Sequence, residues 1–219
     1  MVKENAHSEY SSILMTAEEL LESLCLVRWH TAMRTYGNDH ATLVGLLTDW
    51  WIGLDSSSNW VIDSGPAFGH RARGQGRGNC DLLLGHEGNA VGVVEVEGTR
   101  FSWCVEKIGH FFRAENPVFS HLRFGIILIY PVEPSGRGTE REVAELPWDD
   151  LVQKTQRVTR AYAGRNLALL YLRKRYVREQ TAEARRINDY YRCVPTTVKG
   201  AVMVDGTLVA ELNDLTAHG

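Results

Sequence analysis

The sequence has few cysteines and no long hydrophobic run, and both absences narrow the classes of protein to which it can belong. Its four cysteines are scattered and form no C-x-x-C pair, so we expect free, buried thiols rather than disulfides or zinc ligands. No apolar run approaches the ~20 residues of a membrane-spanning helix. The N-terminus lacks the apolar stretch of a signal peptide. We therefore expect a cytoplasmic protein that does not associate with membranes.

Several catalytic signatures are also absent. The eight histidines form no H-E-x-x-H motif, so zinc-dependent hydrolysis has no support. No G-x-S-x-G elbow for acyl transfer is present. The net charge of −3 counts against constitutive, tight, non-specific binding of nucleic acid. The distribution of the charges along the chain can matter more than their total.

The length and composition are those of a globular domain. The chain has 219 residues, of which 44% are hydrophobic and 23% are charged, enough to bury a core of its own. We expect one domain over residues 1–219, with its core at about 38–131 and a C-terminal extension, 132–219, packed on that core.

Three carboxylates lie within two apolar segments that are typical of a β-hairpin. Residues 81–84 read Asp-Leu-Leu-Leu, residues 91–97 read Val-Gly-Val-Val-Glu-Val-Glu, and a turn lies between them. Side chains alternate across a strand, so Glu95 and Glu97 share one face at roughly 7 Å separation. A suitable antiparallel register would bring Asp81 beside that face. Because desolvating a carboxylate is costly without a compensating cation or hydrogen bond, we expect a positive partner there.

Convergent carboxylates of this kind are the oxygen ligands that Mg²⁺ and Mn²⁺ prefer. An alternative stays open. Glu95 and Glu97 would then line the solvated face of an edge strand, and Asp81 would only begin a strand, as the alternation of polar and apolar faces allows.

The arrangement of these acids resembles the PD-(D/E)XK nuclease signature. Cys80-Asp81 stands where the family has Pro-Asp, Glu95 stands where it has the second acid, and Glu97 stands where it has lysine. The glutamate at the lysine position departs from the pattern. Some type II restriction enzymes of the family are similar in carrying glutamate there. The resemblance therefore implies a metal-dependent nuclease.

The order of the predicted elements agrees with that resemblance, because the family core runs helix, three strands, helix and strand. A helical pattern that begins near Asn38 is followed by the β-rich run 60–62 and by the acidic hairpin. A second helix begins after its cap at Thr99, and the apolar run 124–130 suits a buried strand. The resemblance covers residues 38–131 and implies an α/β fold with a restriction-endonuclease-like αβββαβ core, a mixed sheet flanked by helices.

Additions to this core are predicted at both ends of the chain. Thr16 and Glu19 form a T-x-x-E capping box at the start of an N-terminal helix over 16–36. Toward the C-terminus, a charged helical stretch over 179–191 precedes a second hairpin over 202–209, whose turn is Asp-Gly.

The resemblance also implies roles for individual residues. Asp81 and Glu95 would hold Mg²⁺ or Mn²⁺, with the Val96 carbonyl as a further ligand. The ion would lower the pKa of a bound water and stabilise the charge that grows on the phosphate. Glu97, in place of lysine, would act as a general base or join a second metal site.

Lys107 is a candidate for the missing positive charge. It lies ten residues after Glu97 on the predicted second helix, and family members are known in which the lysine has moved to a neighbouring helix. The alternative is a surface lysine that pairs with Glu106 or with a nearby acid. An acid from the first core helix often completes such sites, and Asp49 is the best-placed candidate.

Three basic segments are candidates for contacts with phosphates. The loop 68–78 has four glycines and three arginines directly before the acidic hairpin, and lacks the Lys-Ser/Thr of a P-loop. Glycines let the backbone approach a ligand, and arginine forks to phosphate or guanine. We therefore predict that Arg71, Arg73 and Arg77 bind nucleic acid. The other segments are 173–178 and a helical stripe of Lys154, Arg157 and Arg160, which is alternatively a solvated face.

Together with these features, the resemblance implies metal-dependent hydrolysis of phosphodiester bonds in DNA by a restriction-like or repair-like endonuclease. DNA is favoured over RNA, and a cut of both strands would favour a homodimer. The alternative is a catalytically inactive module of the same fold that binds nucleic acid or protein, because the lysine of the signature is absent. An RNA-processing or repair nuclease is a third candidate.

Overall fold

The computed structural model of the chain describes residues 16–25, 27, 39–66, 78–98, 101–130, 140–142, 147–178 and 191–216. The helices are α1 (Ala17–Cys25), α2 (Asp39–Leu54), α3 (Phe101–Arg113) and α4 (Trp148–Ala161). The strands are β1 (Asn59–Asp63), β2 (Leu82–His86), β3 (Asn89–Glu97), β4 (Phe124–Ile129), β5 (Glu140–Glu142), β6 (Asn166–Arg178), β7 (Tyr191–Val204) and β8 (Thr207–Thr216). None of the helices in these ranges is long and apolar enough to cross a membrane.

The strands form one mixed sheet. Its main path runs β1-β2-β3-β4-β6-β7-β8, and β5 pairs with β6 off this path. Strands β3, β4 and β6 are parallel to one another, and the remaining pairs are antiparallel. The carboxyl ends of the three parallel strands and the amino end of β2 therefore meet at one edge, which we call the carboxyl edge. The prediction of an α/β fold with a mixed sheet flanked by helices is confirmed.

Two hydrophobic cores cover the two faces of the sheet. On one face, α1 and α2 pack on residues such as Val94 and Val96 of β3. On the other face, α3 and α4 pack on Val93 and on Ile127 of β4. Burying an aliphatic side chain of this size contributes about 1.5–3 kcal/mol. By alternation along β3, Glu95 belongs to the face that α3 covers.

The additions at the ends of the chain agree only in part with the sequence pattern where they are described. Helix α1 begins with the predicted capping box, in which the Thr16 amide donates to Glu19 Oε2 at 2.7 Å and the Glu19 amide donates to Thr16 Oγ1 at 3.2 Å. The rest of the predicted helix, apart from residue 27, lies outside the described residues. The second hairpin consists of β7 and β8, with positive φ at Asp205 and Gly206. The charged stretch 179–191 was predicted as helical. Its residues 179–190 also lie outside the described residues, and residue 191 corrects the prediction, because it begins β7 and pairs with Arg178 of β6.

Two of the four cysteines lie in parts of the chain whose side chains are described. Cys80 and Cys104 are buried and free, as predicted. Burial is the main cause that raises the pKa of the Cys80 thiol to about 12, and it raises that of Cys104 as well. Neither thiol is therefore ionised near neutral pH, so neither is activated as a nucleophile.

A glycine in the acidic hairpin provides a test of the packing. A Cβ added at Gly85 would lie 1.9 Å from Cε2 of Trp60, whose indole N–H donates to the Glu87 carbonyl at 2.7 Å. We expect Gly85→Ala to lower the free energy of unfolding by about 1–3 kcal/mol, because the indole must move. Urea denaturation measures this change. Gly45→Ala in α2, where a Cβ meets no atom within 4 Å, is the control; equal stability of the two variants would contradict the packing.

Candidate metal and catalytic site

Asp81 and Glu95 lie side by side on neighbouring strands at the carboxyl edge. The ladder between β2 and β3 pairs Leu82 with Val94, so Asp81, the residue before β2, lies beside Glu95. The Asp81 amide donates to the Val94 carbonyl at 3.1 Å, and the Asp81 carbonyl accepts from the Ser64 amide at 2.9 Å. Hydrogen bonds from both sides thus fix the main chain at Asp81.

The carboxylate of Asp81 takes the place of a strand partner for β3. The Val96 amide donates to Asp81 Oδ2 at 2.7 Å, because β2 has no ladder pair at this level. His40, in the first turn of α2, lies with Nε2 3.5 Å from the same oxygen. The hydrogen bond to Asp81 is the main cause that raises the pKa of His40, and the negative charge of Glu97 contributes. Asp81 therefore has a fixed position, and it favours the protonated form of its neighbour His40.

Glu95 is a buried carboxylate whose charge is only partly compensated. Its side chain is 3% exposed, and Lys107 Nζ of α3 donates to Oε2 at 2.6 Å. The other oxygen, Oε1, is buried and has no hydrogen-bond partner among the described residues. Burial is the main cause that raises the pKa of Glu95 to about 8; Lys107 lowers this pKa, and the charge of Asp81 raises it. Another positive charge would stabilise this carboxylate.

Glu97 ends β3 on the same face as Glu95. Its Oε1 accepts a hydrogen bond from the Gly98 amide at 2.9 Å. Its negative charge contributes to the raised pKa of both Glu95 and His40. Three carboxylates and two basic side chains therefore interact at this edge. We call this group, His40, Asp81, Glu95, Glu97 and Lys107, the acidic site.

The structure brings together the residues to which the family resemblance gave catalytic or metal-binding roles, Asp81, Glu95, Val96, Glu97 and Lys107. Lys107 contacts Glu95 rather than Glu106, which pairs with Lys154. The three arginines predicted to bind nucleic acid lie outside the described residues: Arg71, Arg73 and Arg77.

Asp49 is not brought to the site, although it was the predicted acid from the first core helix. It is exposed, and it lies nine residues along α2 from His40, about 13 Å at the rise of a helix. The end of α2 near Asp49 contacts the hairpin turn instead, where Trp51 Nε1 donates to the Gly85 carbonyl at 2.9 Å. The helix contributes His40 to the acidic site. The position of His40 in the first turn of the helix predicted to begin near Asn38 was the only signal in the sequence.

The donors in the acidic site fit a hard divalent cation. Glu95 has one oxygen without a partner, and both contacts of the Asp81 carboxylate with described residues fall on Oδ2. The N–H and C=O of one strand residue point to the same side, so the Val96 carbonyl faces Asp81 as its amide does. Mg²⁺ is often held by one or two carboxylates together with water and substrate phosphates. The described residues contain no ready-made group of three or more His, Cys, Asp or Glu ligands.

No protein-family model, curated protein or solved structure matches this chain. The case for a function therefore rests on the acidic site itself. The strongest features of that site are the uncompensated oxygen of Glu95 and the neighbouring carboxylate of Asp81.

The buried carboxyl of Glu95 predicts how stability depends on pH in metal-free protein. Its pKa is raised from 4.5 to about 8, so between these values the folded chain keeps a proton that the unfolded chain has lost. The free energy of unfolding therefore falls as the pH rises through this window, by up to about 1.4 kcal/mol per pH unit. Thermal unfolding in EDTA from pH 5 to 9 measures the fall.

The same experiment has two informative variants. Glu95→Gln removes the titrating group and is expected to lack this part of the pH dependence. Glu106→Gln, which changes an exposed carboxylate on the same helix as Lys107, is expected to keep it. If the wild-type chain and Glu95→Gln lost stability equally with rising pH, the electrostatic description of Glu95 would be wrong.

Proposed function

We propose that this chain is a metal-dependent nuclease that hydrolyses phosphodiester bonds in DNA and has a restriction-endonuclease-like αβββαβ core. The order α2, β1, β2, β3, α3, β4 supports the core. The observation that carries the function is the pair of adjacent carboxylates, Asp81 and Glu95, with one buried Glu95 oxygen left for a cation. Such an oxygen beside another acid must either take up a proton, as the raised pKa of Glu95 indicates, or bind a cation.

The residues of the acidic site divide the work of hydrolysis. Asp81 and Glu95 would hold a divalent ion, Mg²⁺ or Mn²⁺, and the Val96 carbonyl would be a further ligand. When bound, the ion polarises the phosphate and lowers the pKa of a water. Glu97 accepts the proton of the attacking water, as a carboxylate at the end of β3 with access to solvent.

Lys107 and His40 act on the two metal-binding carboxylates. Lys107 donates to Glu95 Oε2 at 2.6 Å, which orients the other oxygen, Oε1, away from the lysine. His40 lies 3.5 Å from Asp81 Oδ2 and restrains that carboxylate in the same way. Both are positioning residues. Lys107 also supplies positive charge close to where the scissile phosphate would lie, which the glutamate at position 97 cannot do.

Cleavage of supercoiled plasmid tests this function. We expect nicked and linear products with Mg²⁺ or Mn²⁺ and none in EDTA, together with a higher unfolding temperature when either ion is added. Duplex DNA, branched DNA and structured RNA tested side by side identify the substrate. Linear product formed without accumulation of nicked circles would favour a homodimer with two sites. If the folded chain cleaved none of these substrates with either ion, the proposed function would be wrong.

A second candidate function is a non-catalytic module of the same fold. One observation favours it: the cation nearest the two acids, Lys107, is already engaged by Glu95, and Glu97 replaces the lysine of the signature. A module of this kind would bind DNA or protein without cleavage. Its thermal stability would also not respond to Mg²⁺ or Mn²⁺, because no functional metal site would remain.

A further inference from the structure

Two strands of the sheet continue well beyond their neighbours at the carboxyl edge. The register aligns Glu97, the last residue of β3, with Ile129 of β4 and with Tyr171 of β6. Strands β3 and β4 end there. Strand β6 continues to Arg178, and β7 pairs with it along this whole length. We call the projecting part, residues 172–178 and 191–198, the β6–β7 arm.

The arm starts close to the acidic site. Strands β3, β4 and β6 are parallel, so the arm projects from the edge at which Asp81 and Glu95 lie. Strand β6 is two strand positions away from β3, about 10 Å at the usual spacing of strands. Seven further residues at about 3.3 Å each extend the arm by roughly 23 Å.

The arm is more than an isolated hairpin, which would be only marginally stable in water. Strand β5 pairs with β6 over residues 175–177, and β8 pairs with β7 at Thr197 and Val198. The ladder has an irregularity between Arg173 and Lys174. Irregularities of this kind bend a strand pair, so this is the point at which the arm can bend relative to the rest of the sheet.

Positive charge is concentrated on the arm. Its two segments contain no aspartate or glutamate, and they contain the basic residues Arg173, Lys174, Arg175, Arg178 and Arg192. The short strand β5 adds two glutamates and one arginine. The chain as a whole has a net charge of −3. The two segments of the arm thus have only basic charges, whereas the carboxylates of Asp81, Glu95 and Glu97 lie two strand positions or more away, on β3 and next to β2.

We propose that the β6–β7 arm is the element that binds the substrate duplex, by sequence-independent contacts with DNA phosphates on one side of the scissile bond. This inference rests on the proposed function for the identity of the substrate. An acidic site repels the phosphates that it must cleave, so a neighbouring basic element has to attract them. Duplex DNA has one phosphate charge per ~1.7 Å of its axis, so a stretch of DNA as long as the arm, roughly 23 Å, has on the order of a dozen phosphate charges. Contacts with phosphates set the position of the duplex and do not read its sequence.

The arm can be tested by binding alone, without cleavage. Binding of a labelled 20-base-pair duplex in EDTA is measured by fluorescence anisotropy for two proteins. The first is the full chain with Glu95→Gln. The second, the arm variant, combines that substitution with Arg173→Gln, Lys174→Gln and Arg175→Gln. We expect affinity at low salt to fall at least tenfold. The slope of log K against log salt should decrease by roughly 2 to 3, since each phosphate contact contributes about 0.9.

A control with the same change of charge lies on α4. Arg157 and Arg160 lie in the second half of α4, where the Thr159 hydroxyl accepts a hydrogen bond from the Gly206 amide in the turn between β7 and β8, at the opposite edge of the sheet. Lys154 lies near the middle of the helix. Replacement of these three residues by glutamine should leave the slope nearly unchanged. Arg192→Gln, on the other strand of the arm, changes one residue only and should lower the slope by about one. Thermal unfolding checks that each variant is folded.

The outcomes separate this inference from the proposed function. If the arm and α4 variants bound equally well with equal slopes, the arm would not be the binding element, even if the wild-type chain cleaved DNA. If the arm variant lost affinity for structured RNA and kept its affinity for duplex DNA, the inference would also be wrong. If binding to duplex DNA depended on the arm and no cleavage occurred with Mg²⁺ or Mn²⁺, the arm would be supported and the nuclease function would fail.

Discussion

Replacing Glu95 by glutamine is expected to reduce metal-dependent cleavage of DNA roughly 10³-fold, equivalent to about 4 kcal/mol on the barrier. Glutamine is nearly isosteric with glutamate, and its amide oxygen still accepts the hydrogen bond from Lys107. The variant loses the negative charge on the oxygen that would bind the cation. A fall in the rate without loss of the fold would therefore assign a chemical role to this carboxylate.

The same loss is expected for Asp81→Asn, because the second ligand is removed while the hydrogen bond from the Val96 amide is kept. The rate of single-turnover cleavage is measured for both variants at saturating Mn²⁺. A variant that only binds the ion weakly regains its rate at high Mn²⁺ concentration, whereas a variant that is defective in the chemical step does not. Glu106→Gln is the matched control: it is an exposed glutamate next to Lys107 in the sequence, and it should cleave like the wild-type chain. Full activity in either Glu95→Gln or Asp81→Asn would show that the acids have been assigned wrongly.

Replacing Lys107 by methionine is expected to destabilise the fold more than any change to an exposed ion pair. Lys107 is 14% exposed and is bonded to the buried carboxylate of Glu95. Without the lysine, that carboxylate must either remain charged and unpaired or take up a proton. Removing one partner of a buried pair costs about 3–5 kcal/mol, and we expect this range at pH 9. At pH 6 the loss should be smaller, because the protonated carboxyl is neutral.

The chain contains a matched control and a rescue for this experiment. Lys154→Met removes the partner of the exposed carboxylate of Glu106 and should cost less than about 1 kcal/mol. The double variant Glu95→Gln with Lys107→Met removes both charges, so it should regain most of the stability while DNA cleavage stays absent. Urea denaturation at pH 6 and pH 9 measures all four proteins. Equal effects of Lys107→Met and Lys154→Met at both pH values would contradict the buried ion pair.

Local patterns were sufficient to predict the hairpin that contains the acids. Alternation along β3 predicts that Glu95 and Glu97 share a face, and the two apolar segments with a turn between them predict the antiparallel pairing. The observed register of β2 against β3 places Asp81 beside Glu95. The sequence allowed this register and did not select it over others. Strong periodicity and short separation along the chain made this part predictable.

The helix contacts of the site could not be predicted in the same way. His40 lies near Asp81 although 41 positions separate them, and nothing local indicates how far α2 extends over the sheet. The partner of Lys107 depends on the rotation of α3 about its axis. This rotation is set by the packing of α3 on the sheet and on α4. Asp49 illustrates this limit on prediction. The helix that contains it was predicted, but the sequence did not indicate which end of the helix lies at the acidic site.

The β6–β7 arm shows a different limit. The charged sequence after Leu172 was predicted only as a basic cluster, because a run of arginine and lysine has no alternation that would indicate a strand. The strand continues there because β5 and β7 supply hydrogen-bond partners on both sides. Tertiary pairing thus determines the conformation of a segment whose own pattern is uninformative.

A crystal of the full chain soaked in Mn²⁺ would show directly, through the anomalous difference density of the ion, whether Asp81 and Glu95 form a metal site. We expect one strong peak between the carboxylates of Asp81 and Glu95, within bonding distance of an oxygen of each. A peak bound elsewhere, or no peak while Lys107 alone occupies the Glu95 carboxylate and Asp81 faces away from it, would contradict the claim that these two strands form a metal site.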